Sequence, residues 1–108
     1  MDRPESFARA REELRRRHGA LFDLVSALLF RHDPMGIGHG PAREYDLEAC
    51  MILRRLPGAH AAEGILAMVH EVFCDCFGGS KTAGPVENYS TISGEIWILW
   101  MERREKEA

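Results

Sequence analysis

Glu95-Ile96-Trp97-Ile98-Leu99-Trp100-Met101 is the stretch on which the fold class turns. Taken locally, an acid followed by a continuous apolar run reads as a buried strand. A lone strand leaves its backbone N–H and C=O groups without partners, and no other segment offers a convincing strand to pair with it. Tyr89, Ile92, Ile96, Leu99 and Trp100 also keep helical spacing. The segment from Asn88 to Glu105 is therefore read as a helix, with Trp97 and Trp100 in the core.

Once that run is helical, the rest of the chain follows. Upstream, Ala62, Ile65, Leu66, Val69, Phe73, Cys76 and Phe77 hold helical phase from about His60, and Gly78-Gly79 ends the helix. Residues 78–87 read as a loop. Before them a helix opens at Asp46, buries Leu47, Cys50, Met51, Leu53 and Leu56, and stops at Pro57-Gly58. Residues 1–31 form an N-terminal helix or kinked helix pair. Asp2 and Glu5 make a capping box, Phe7, Leu14, Leu21 and Leu28 recur every seven residues, and Gly19 interrupts. Between these parts lies 32–45, rich in glycine and proline, where Asp33-Pro34-Met35-Gly36 has the residue order of a type I turn. Met35 and Ile37 are expected to tuck against the core. The expectation is one all-α domain over 1–108, a compact four- or five-helix bundle with one long ordered Gly/Pro loop, and with three helices within 46–105.

Composition narrows the function classes. Over 108 residues, 45% are hydrophobic and 29% charged, the balance of a globular protein rather than a disordered tail or a disulfide-rich miniprotein. Cys50, Cys74 and Cys76 are an odd, sparse set, and no positively charged start leads into an apolar core, so a reducing cytoplasm is the default. No apolar run is long enough to span a bilayer. The net charge of -3 disfavours nucleic acid as a general partner. It is nevertheless a sum over unlike ends. Residues 1–18 hold six arginines against four acids, whereas Asp33, Glu44, Asp46 and Glu48 face only Arg43.

Motifs for catalysis are missing. GIGHG at 36–40 follows a helix and lacks the dinucleotide spacing, GGSKT at 78–82 fails the phosphate-loop order, and there is no nucleophile elbow. Both glycine stretches read as chain reversals, and nothing points to a cofactor. His70 and Cys74 lie four apart on one helix face and are the weak candidates for a metal, but no second ligand pair has comparable spacing and HExxH is absent. The more informative cluster is Asp33, Glu44, Tyr45, Asp46 and Glu48. Capping accounts for Asp33 and Asp46. The functional alternative is an acidic surface beside an ordered loop, able to meet a basic protein.

Asp33-Pro34-Met35-Gly36-Ile37, followed by Glu44-Tyr45-Asp46 and Glu48, resembles a group of small uncharacterised bacterial helical proteins. These carry a DPIG turn and then an EYD element that opens a helix. The similarity covers about the middle half of the chain and continues to Phe73–Gly78, with departures at Met35 and Arg43. It implies a small helical domain without established activity, and an immunity-like role beside a toxin. Asp33, Tyr45 and Asp46 are expected to form one hydrogen-bonded joint holding the loop, with Asp46 capping the next helix. The sequence thus points to a non-enzymatic interaction protein that uses Asp33, Glu44, Tyr45, Asp46 and Glu48. A metal-binding module or metal-dependent enzyme at His70 and Cys74 is the alternative, and a homodimer through an apolar face stays open.

Overall fold

A computed structural model describes residues 5–36 and 45–107, and all their regular structure is helical. Helix α1 (Glu5–His18) and helix α2 (Leu21–His32) are separate elements. Gly19 takes a left-handed φ of 60°, which only glycine adopts at little steric cost, and this breaks the helical path between them. The Arg15 guanidinium, 3.0 Å from Asp23, ties the two helices across the break. Asp33 ends α2 in a left-handed conformation, and its carbonyl accepts from Gly36 N–H at 3.1 Å, the bond of the expected turn. Asp2, Ile37, Arg43 and Glu44 lie outside the described residues.

Helix α3 (Asp46–Arg55) is followed by a 3-10 turn at Leu56–Gly58. Helix α4 (Ala62–Phe77) ends at Gly78 with φ 85°, where Gly79 N–H reaches back to the Cys74 carbonyl at 2.8 Å. The stretch expected to be a plain loop contains a single helical turn, α5 (Ser80–Ala83), and a 3-10 turn at Val86–Tyr89. Helix α6 (Ser90–Glu107) carries the apolar run as helix. The chain is an all-α bundle with six helices among the described residues, one of them a single turn.

Helix α3 packs against α1, α2 and α4, while α6 closes the bundle against α2 and α4. Tyr45, Tyr89, Phe22, Phe73, Leu29, Ile52, Leu53, Ile65 and Ile96 are fully enclosed. Trp100 is buried, with its ring edge-on to His18 of α1 at 6.4 Å, whereas Trp97 is only half-buried. No helix among the described residues is long and apolar enough to cross a membrane.

Candidate functional site

The Asp33–Tyr45 region builds from the turn outward. Asp33, held left-handed, aims its carboxylate at the start of α3, where Tyr45 donates its hydroxyl proton to Oδ1 at 2.7 Å. The same hydroxyl oxygen accepts from Met35 N–H at 3.1 Å. One phenol therefore holds both the side chain and the backbone of the turn, and its ring lies 6.0 Å from Phe73 in the core.

Asp46 does not cap α3, which corrects one expectation. No side chain caps the start of α3, where Tyr45 occupies the capping position. The Asp46 carboxylate turns inward and accepts from the Ser26 hydroxyl of α2. The reason is the place of α3 in the bundle: a helix packed on three sides draws even its first-turn residue inside.

The acidic surface needs the same correction. Tyr45 is 0% exposed, Asp46 2% and Glu48 1%, so these three present no charge to a partner. Acids adjacent in sequence on a helix point in directions about 100° apart per residue, and around a central helix most of those directions lead into protein. Asp33 is half-buried and engaged by Tyr45. Of the cluster's described members, Tyr45, Asp46 and Glu48 thus organise the interior, while Glu44 lies outside the described residues.

His70 and Cys74 do approach each other, with Sγ 3.6 Å from Nε2. That same nitrogen lies 2.8 Å from the Gly84 carbonyl, to which it donates a proton. Binding a metal through Nε2 would require giving up that bond. Among the described residues no group of three His, Cys, Asp or Glu side chains is placed to hold an ion.

Tyr89 completes this corner. Its ring lies 5.6 Å from His70 and 5.1 Å from Phe73, and its hydroxyl donates to the Ala83 carbonyl at 2.5 Å. Burial, and secondarily the neighbouring Cys74, raise its pKa above the ordinary 10.0. The sign of the linkage follows. Below pH 10.0 both folded and unfolded chains keep the phenol proton. Above it the unfolded chain releases the proton first, so stability falls as pH rises through the interval up to the native value. Wild type is therefore expected to lose stability above pH 10.0 more steeply than Tyr89→Phe, in urea titrations repeated across that range.

The surface feature lies elsewhere. Helices α2 and α6 run antiparallel: Arg31 meets Glu95 at 2.7 Å at one end, and Leu21 lies beside Glu102 and Arg103 at the other. Between them is a groove of about 360 Å³ lined by Leu24, Ala27, Leu28, Ile98 and Leu99. Leu24 is 49% exposed and Ile98 56%, the large hydrophobic side chains that the described surface leaves most open. A second concavity continues the groove past Leu24 and Leu99 toward Glu102 and Lys106. Neither Leu24 nor Ile98 stands out by residue type. The available signal was the run itself, because apolar residues at every position from 96 to 101 circle a helix completely and cannot all face one core.

In comparisons with family models, with curated proteins and with solved structures, the chain matches none.

Proposed function

We propose that this chain is a non-enzymatic protein-interaction domain whose contact surface is the outward face of α2 and α6. The observation that carries this reading is the pair of open side chains, Leu24 and Ile98, over an apolar groove at the stretch of α6, residues 96–101, that is apolar all round. An apolar stripe of this kind, bounded by charge at both ends, suits another helical surface that presents its own apolar face. A basic, toxin-like partner loses its support, because Tyr45, Asp46 and Glu48 are inside. The metal-module alternative has only the 3.6 Å approach of His70 and Cys74 behind it and takes second place.

The test is Ile98→Lys. The side chain already faces solvent, so the isolated fold should keep its stability to within about 0.5 kcal/mol. At the middle of a contact surface the new charge should weaken binding by about 2 kcal/mol or more, roughly thirtyfold. In gel filtration of extracts from its native host, the tagged wild-type chain is expected to elute in an assembly and the variant at the size of the free chain. Identical elution of the two would contradict the proposal.

A further inference from the structure

We draw no further inference here: the strongest candidate, the concavity between the end of α3 and the start of α4 that Arg54, Arg55 and His60 line, rests on exposed cations beside a helix N-terminus, and nothing among the described residues shows what it would hold.

Discussion

Phe73→Ala is expected to lower the unfolding free energy by about 3–5 kcal/mol, the range for emptying a fully enclosed phenylalanine site. Phe73 is 0% exposed and its ring neighbours three others: Tyr45 at 6.0 Å, Tyr89 at 5.1 Å and Phe77 at 5.7 Å. Those rings come from the start of α3, the 3-10 turn before α6, and α4 itself. Two of them carry the hydroxyls that fasten backbone elsewhere, Tyr45 on Met35 and Tyr89 on Ala83. A void at Phe73 therefore loosens both tethers, and the surroundings cannot collapse into it without pulling those bonds apart. Urea denaturation gives the number, with Phe77→Ala as control. Phe77 is only half-buried, so its truncation should have a clearly smaller effect. Equal losses at the two positions would show that Phe73 is not the keystone of this corner.

Ser26→Ala is expected to destabilise the fold by about 1–3 kcal/mol, more than a serine truncation on the surface would. Its hydroxyl donates to the Asp46 carboxylate where α2 packs on α3, and both side chains are buried. Removing the donor leaves a buried carboxylate with one hydrogen bond fewer, and a charge in the interior relies on every such bond. A double-mutant cycle with Asp46→Ala isolates the pair, because alanine removes the acceptor that an asparagine amide oxygen would still offer the serine. A coupling near zero would mean that the contact contributes nothing to stability.

The fold was legible where hydrophobic spacing and backbone breakers agreed. Gly78, Pro57 and Gly19 mark real boundaries, since left-handed or kinked backbone must be supplied by particular residues. The apolar run at 96–101 could be assigned only through the lack of a strand partner, a property of the whole chain. The single turn at Ser80–Ala83 was not legible, because so short an element has little periodicity to display.

The site was read less well. Asp33 and Tyr45 do meet in one hydrogen-bonded hub, a pairing legible from the residue types, a carboxylate acceptor and a phenol donor, although they lie twelve positions apart. Asp46 and Glu48 were misplaced because charge suggests solvent, whereas their helix is surrounded. Ser26, Asp46's partner, lies twenty positions away, and nothing local announces it. Leu24 and Ile98 escaped for the opposite reason: an apolar residue within an apolar stretch suggests core, and only the bundle shows which side is left over.

The claim that the α2–α6 face is a protein contact is tested most directly by photo-crosslinking in the native host. A photoreactive amino acid at Ile98, and in parallel at exposed Lys81 on α5, reports what lies against each position. The account predicts a discrete protein adduct from position 98 and none from position 81. Position 98 yielding no more adduct than position 81 would contradict it.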